Sequence, residues 1–240
     1  MHRERQDGFR WRNHEIARIE GLSDAVFAFA VTLLIISLEV PRTFTELAQA
    51  MRGFIPFAAC FAWLLFIWHA QYIWFRRYAL QDTVSVVLNG ALLFIVLFYV
   101  YPLKLLSTLM ATQIMGGENL VHLPDGRVEP MVRPAEGLPM MLIYDAGFIA
   151  VFAVLALLYV YAWRRREQLE LDPMERHKTL EKMGSHICIF AVGIVSLLVA
   201  LIGGDGAVGY SGFVYFAIGP VLMVYYSWMA RRARAAGLQA

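Results

Sequence analysis

The sequence predicts an all-α integral membrane protein, and three observations carry that reading. The 240 residues are 59% hydrophobic and only 17% charged, whereas soluble domains run to about 25% charged. The apolar residues gather into six stretches, at about 20–40, 53–76, 83–110, 141–164, 184–203 and 210–231. Each is close to the ~20 residues that a helix needs to cross ~30 Å of hydrocarbon. Basic residues collect at alternate ends of these stretches. So little chain is left over that residues 1–240 read as a single six-helix domain.

The arginines orient the spans. Arg3, Arg5, Arg10, Arg12 and Arg18 precede the first, and Arg76 and Arg77 follow the second. Six more basic residues between Arg164 and Lys182 join the fourth to the fifth, and Arg231, Arg232 and Arg234 follow the sixth. The other side holds only Arg42, Arg52, Lys104, Arg127 and Arg133. The positive-inside rule then places both termini in the cytoplasm of a multi-pass protein of the cell inner (plasma) membrane. These arginines lie at helix ends, not spaced through a helix as in a voltage sensor. "AQA" at 48–50 imitates a signal-peptide cleavage site, but the preceding apolar run is too long and Glu39, Pro41, Arg42 and Glu46 intervene. Cys60 and Cys188 fall inside separate apolar spans and read as small buried hydrophobes.

The first span, "RIEGLSDAVFAFAVTLLIISLEVP" at 18–41, carries ionisable residues at both ends. At ~100° per residue, Ala25, Phe29, Thr32, Ile36 and Val40 cluster on one apolar stripe, and Asp24 points well away from it. An aspartate in a membrane is costly without a partner or water, so it marks a candidate site. At 1.5 Å per residue, Asp24, His69 on the second helix and Asn89 on the third come to a similar depth. With Ser23 and Arg18 they are expected to form a polar network between helices. Two readings stand: the network fixes packing, or it senses protons or gates. Glu39 at the outer mouth either concentrates cations or reaches to the interface.

Residues 111–140 form a long external loop in which "PDG" is a turn signal; it is either a small hairpin cap or a tolerated insertion. Between the fifth and sixth spans, "GGDGAVGYSG" contains Val208-Gly209-Tyr210 and superficially resembles a potassium-channel TVGYG filter. Too few residues separate the spans for a re-entrant pore helix, and the segment reads as a flexible glycine-rich turn.

The stretch "RIEGLSD" at 18–24 resembles the R-x-x-x-F-S-D signature of the prokaryotic relatives of the lysosomal potassium channel transmembrane protein 175. The likeness continues through "AVFAFAVTLLIISLEVP", "WLLFIWHAQY" at 63–72 and "LNGALLFIVLFYVYPL" at 88–103. Leu22 replaces the usual Phe. The resemblance implies a potassium-preferring cation channel without a TVGYG filter. It also implies a homotetramer of six-helix subunits, with the first helix of each lining a central pore. In that scheme Phe29 is the hydrophobic constriction, where relatives carry Ile or Leu, and Thr32 is a hydroxyl ring. The resemblance likewise joins Arg18, Ser23 and Asp24 to His69 and Asn89. The partners it implies are further copies of the chain, the lipid bilayer and monovalent cations. No cofactor is expected besides permeant potassium, and no nucleic acid.

A proton-coupled secondary transporter using Asp24 and His69 is the alternative, although no inverted repeat or broken midplane helix is evident. A membrane enzyme is disfavoured by the lack of a metal-ligand cluster, nucleophile motif or P-loop. A non-conducting membrane scaffold is the third class.

Overall fold

The computed structural model describes residues 5–6, 9–12, 15–36, 43–44, 51, 54–114, 120–122 and 126–238. Two tiny hairpins, β1 (Arg5–Gln6) with β2 (Phe9–Arg10) and β3 (Leu120–His122) with β4 (Val128–Pro130), accompany the helices. The helices are α1 (Arg18–Ile36), α2 (Phe54–Tyr78), α3 (Thr83–Ile114), α4 (Gly137–Arg164), α5 (Pro173–Gly203), α6 (Val208–Val214) and α7 (Ile218–Ala235). Among the described residues, four stretches are long and apolar enough to cross a membrane: Phe54–Tyr78, Thr83–Met110, Gly137–Arg164 and Pro173–Ala235.

The last of these, 63 residues long, is a hairpin. Ser196 donates to the Ser211 carbonyl and Tyr225 to that of Leu180, which lays the two limbs side by side and antiparallel. The chain turns within the 3-10 segment Gly204–Ala207, where Gly204 takes φ +60, a conformation that only glycine adopts without strain. This corrects the expectation of a flexible turn over the whole glycine-rich stretch. Val208, Gly209 and Tyr210 are already inside α6.

Other contacts fix the remaining directions. Gln71 meets Asn89 and Cys60 meets Ser107, so α2 and α3 are antiparallel. Tyr99 packs on Tyr144 while Asp82 accepts from Tyr161, which makes α3 and α4 antiparallel. Ser196 with Asp145, and Tyr159 with His186, do the same for α4 and α5. Helix α1 runs parallel to α3, since Ser23 bonds Asn89 near one end and Leu34 bonds Lys104 near the other. The core is aromatic: Trp63, Phe148 and Phe152 pack together at one level, and Trp74, Tyr78 and Tyr159 at another. Gly147 permits the closest approach there, because a Cβ added to it would lie 2.2 Å from the Tyr99 ring.

At the arginine-rich end the N-terminal segment is tied into the bundle. Phe9 is fully buried, edge-on to Tyr78 and beneath the Arg77 guanidinium. The Asp172-Pro173-Met174-Glu175 start of α5 is a capping box with proline at its first turn. Its Glu175, wholly buried, accepts from Arg10 at 2.9 Å and from Arg12 at 2.8 Å. Arg12 also donates to the carbonyls of Leu169 and Arg77. One carboxylate thus joins the N-terminal segment, α2 and the α4–α5 turn. Burial pushes the Glu175 carboxyl up, but the bonds from Arg10 and Arg12 outweigh it and hold it at about 2. A depressed carboxyl stabilises the fold above its unfolded value, near 4.3, and that contribution fades as pH falls towards about 2. Acid titration of the detergent-solubilised protein is therefore expected to lower its melting temperature from about pH 4 downwards. The loss should be smaller in Glu175→Gln.

The segment between α3 and α4 carries a hairpin. Leu120 pairs with Pro130, Val121 with Glu129 and His122 with Val128. Gly126, between the two strands, has φ +82.

Candidate functional site on the first helix

Helix α1 has two opposite faces. Ser23, Phe27, Ala30 and Leu34 are buried against the chain's own α2 and α3. At ~100° per residue their mean direction lies about 200° from that of Ala25, Phe29 and Thr32. Ala25 and Thr32 are exposed, and Phe29 is 55% exposed. Ile36 is the last residue of α1, and Glu39 lies outside the described residues. Thr32 gives its hydroxyl proton to the Ala28 carbonyl at 2.9 Å. Its oxygen lone pairs are left on the exposed side of the helix.

Between these faces lies the flank of α1. Asp24 accepts a hydrogen bond from the Trp68 indole at 2.7 Å. Beside that pair an apolar groove of about 380 Å³ runs between α1 and α2, lined by Phe27, Ala28, Val31, Phe61, Leu64 and Leu65.

Behind α1 a chain of hydrogen bonds crosses three helices. The Gln71 amide donates to Asn89, Asn89 donates to the Ser23 hydroxyl at 2.9 Å, and Ser23 donates to the Ile19 carbonyl at 2.8 Å. Gln71, Asn89 and Ser23 are all at most 2% exposed. Every link has one donor and one acceptor, so the buried groups are matched without an ionised member.

The structure thus brings Ser23 and Asn89 together and holds Asp24 apart from them. His69 is exposed and touches the Tyr72 ring, while Arg18 is exposed at the start of α1. Neither joins the chain of bonds among the described residues. Within one chain Trp68 meets Asp24 and Gln71 meets Asn89, in place of the expected contacts from His69. The reason is angular: Trp68 and Gln71 are three apart and share a face of α2, and His69 is rotated ~100° from Trp68. That spacing is visible in "WHAQY" at 68–72 and is the signal that depth arithmetic alone passes over. Among the described residues no group of His, Cys, Asp or Glu is placed to hold a metal ion.

Ser23→Ala removes an acceptor and leaves the Asn89 amide buried without a partner, a loss of about 1–3 kcal/mol. Thermal unfolding should report it, and Ser23→Thr should recover most of the difference.

Known proteins align with this arrangement. The family model for the endosomal/lysosomal potassium channel TMEM175 matches residues 18–99. A potassium channel of Marivirga tractuosa is 35% identical over 230 residues, spanning 94% of this chain and 92% of that protein. The chain belongs to the TMEM175 family of potassium channels. This is a family of multi-pass membrane channels and not of enzymes. A crystal structure of a variant of the potassium channel MtTMEM175, bound to a nanobody fusion protein, superposes with a TM-score of 0.80 at 34% identity. It covers 95% of this chain and 99% of that one. The fold is also shared with a crystal structure of a TMEM175 homologue from Chamaesiphon minutus, with a TM-score of 0.51 at 22% identity over 92% of this chain. The TMEM175 model spans α1, α2 and most of α3. It therefore takes in the exposed stripe, the Asp24–Trp68 pair and the whole Gln71–Asn89–Ser23 chain.

Proposed function

We propose that this TMEM175-family protein is a potassium-preferring cation channel of the inner (plasma) membrane, working as a homotetramer of six-span subunits with both termini cytoplasmic. The observation that carries the proposal is the division of α1 into a face buried in its own subunit and an opposite, uncovered face bearing Ala25, Phe29 and Thr32. A single helix cannot enclose a conduit, so four copies of that face are required around a central axis. The groove between α1 and α2 then seats a neighbouring subunit. The hairpin of α5 with α6–α7 supports counting the last apolar stretch as two spans.

Conduction in this scheme is passive. Four Phe29 rings form a hydrophobic constriction that has to widen or wet before an ion passes. Their π faces attract a partly dehydrated cation. One helical turn further on, the Thr32 oxygens replace part of the ion's water. Ile36 makes a second apolar ring, and Glu39 concentrates cations at the outer mouth. The Gln71–Asn89–Ser23 chain fixes the orientation of α1 so that the stripe faces the axis, with Arg18, Asp24 and His69 at the same end available to neighbouring subunits. The helical conformation of Val208–Val214 supports a pore without a TVGYG filter. No cofactor is needed beyond the permeant ion. A proton relay from Asp24 to His69 within one chain gains no support, since the described partner of Asp24 is Trp68.

Cysteine scanning of α1 tests the pore-lining face. Thiol reagents should block currents through Phe29→Cys and Thr32→Cys and leave Ala30→Cys untouched. Block at position 30 and not at 29 or 32 would refute the assignment.

A further inference from the structure

Asp145 sits in the middle of an apolar helix and was not singled out by the sequence. It is fully buried in α4. Its Oδ1 lies 2.5 Å from the Tyr215 hydroxyl and 2.9 Å from that of Ser196, and Ser196 in turn lies 3.0 Å from the Ser211 carbonyl. Its Oδ2 is buried with no hydrogen-bond partner among the described residues. Ser196 and Ser211 are also fully buried. At the end of α6 the cap N–H groups bond the carbonyls of Gly212 and Phe213. The Ser211 carbonyl is thus left to the Ser196 hydroxyl.

Counting protons decides the state of this cluster. It makes three short contacts: Tyr215 to Asp145, Asp145 to Ser196, and Ser196 to Ser211. An ionised Asp145 leaves only two protons for them, those of Tyr215 and Ser196, because a hydroxyl donates once. Either the Ser211 carbonyl or the carboxylate then loses a bond in a fully buried cluster, and the second carboxylate oxygen has none among the described residues. A protonated Asp145 supplies the third proton. Tyr215 donates to Asp145 Oδ1, the carboxyl proton on that oxygen goes to Ser196, and Ser196 donates to the Ser211 carbonyl. A neutral carboxyl also tolerates a bare Oδ2 far better than an anion does.

No counter-charge offers another solution. The titratable groups facing Asp145 are phenols: Tyr144 on its own helix, Tyr99 on α3, and Tyr215 after α6. Lys104 on α3 donates to the Leu34 carbonyl. On α5, His186 lies tilted against the Phe152 and Tyr159 rings, about two and four turns along α4 from Asp145. Among the described residues Asp145 has no ion pair.

We propose that Asp145 is a resident proton-binding site, whose bound proton completes the clasp of α4 to α5 and α6. This assignment is independent of the pore. It predicts that alkaline pH, by removing the proton, puts an unpaired anion into the helix junction and loosens it.

Infrared spectroscopy of the protein in lipid, with carboxyl-labelled aspartate, tests this directly. The wild type should show, at neutral pH, an isotope-shifted band of a protonated carboxylic acid that disappears in Asp145→Asn. Its melting temperature should fall on alkalinisation, and that of Asp145→Asn should not. If Asp145→Asn does not fold, Tyr215→Phe serves instead and must shift the band by removing its donor. Absence of the band in the wild type overturns the proposal. So does a band that persists in Asp145→Asn, or one that Tyr215→Phe leaves unmoved.

Discussion

Phe29→Ala should conduct several-fold more current than the wild type under the same gradient, with a weaker preference for potassium over sodium. The expectation follows from the geometry of α1. Phe29 is 55% exposed on the face opposite Ser23, Phe27, Ala30 and Leu34, so its truncation removes bulk from the uncovered face and leaves the packing behind it intact. In the proposed tetramer, replacing four phenyl rings with methyl groups widens the hydrophobic narrow point and lowers the cost of wetting it. It also removes the π faces that favour a dehydrated cation. Phe27→Ala is the matched control. Phe27 is 5% exposed and belongs to the core, so that change should cost roughly 3–5 kcal/mol of stability with little effect on selectivity. Single-channel recording separates the two, and a Phe29→Ala protein with unaltered conductance would move the constriction elsewhere.

The second large effect is expected in stability. Glu175→Gln keeps the shape of the side chain and removes the charge that Arg10 and Arg12 share. Breaking a buried ion pair by removing one partner costs about 3–5 kcal/mol, and the melting temperature should fall by roughly 10 °C. Three elements lose their common anchor, so the N-terminal segment ahead of α1 should become sensitive to protease. A Glu175→Gln protein that melts like the wild type and resists proteolysis would show the cluster to be dispensable.

Much of this molecule is legible in the sequence because the bilayer imposes a strong pattern. Apolar runs near 20 residues and arginines at alternate ends mark the helices without reference to packing. The start of α5 is less visible. Charged residues between Pro173 and Lys182 conceal a helix that begins eleven residues before the apolar stretch at 184, although the Asp172–Glu175 box announces it. The glycines of 203–212 suggest a loose turn, yet only Gly204 needs special backbone freedom and the rest continue as helix.

Site residues divide in the same way. Depth along a helix follows from counting, which is why Ser23 and Asn89 are found at one level. Direction around the helix depends on which neighbour packs where, and that sets Trp68 and Gln71, not His69, against Asp24 and Asn89. Asp145 was visible as a lone acid in "YDAGFIAVFAVLALLYVY". Its meaning depends on Ser196 and Tyr215, fifty and seventy residues away, and only the fold brings them to it.

The most direct test of the central claim is a reversal potential, measured on the purified protein in a planar bilayer with potassium on one side and sodium on the other. A passive potassium-preferring channel gives ohmic currents that reverse towards the potassium equilibrium potential. Currents that reverse near zero would contradict potassium preference. Absence of conductance, with saturable proton-coupled uptake in vesicles instead, would contradict the channel itself.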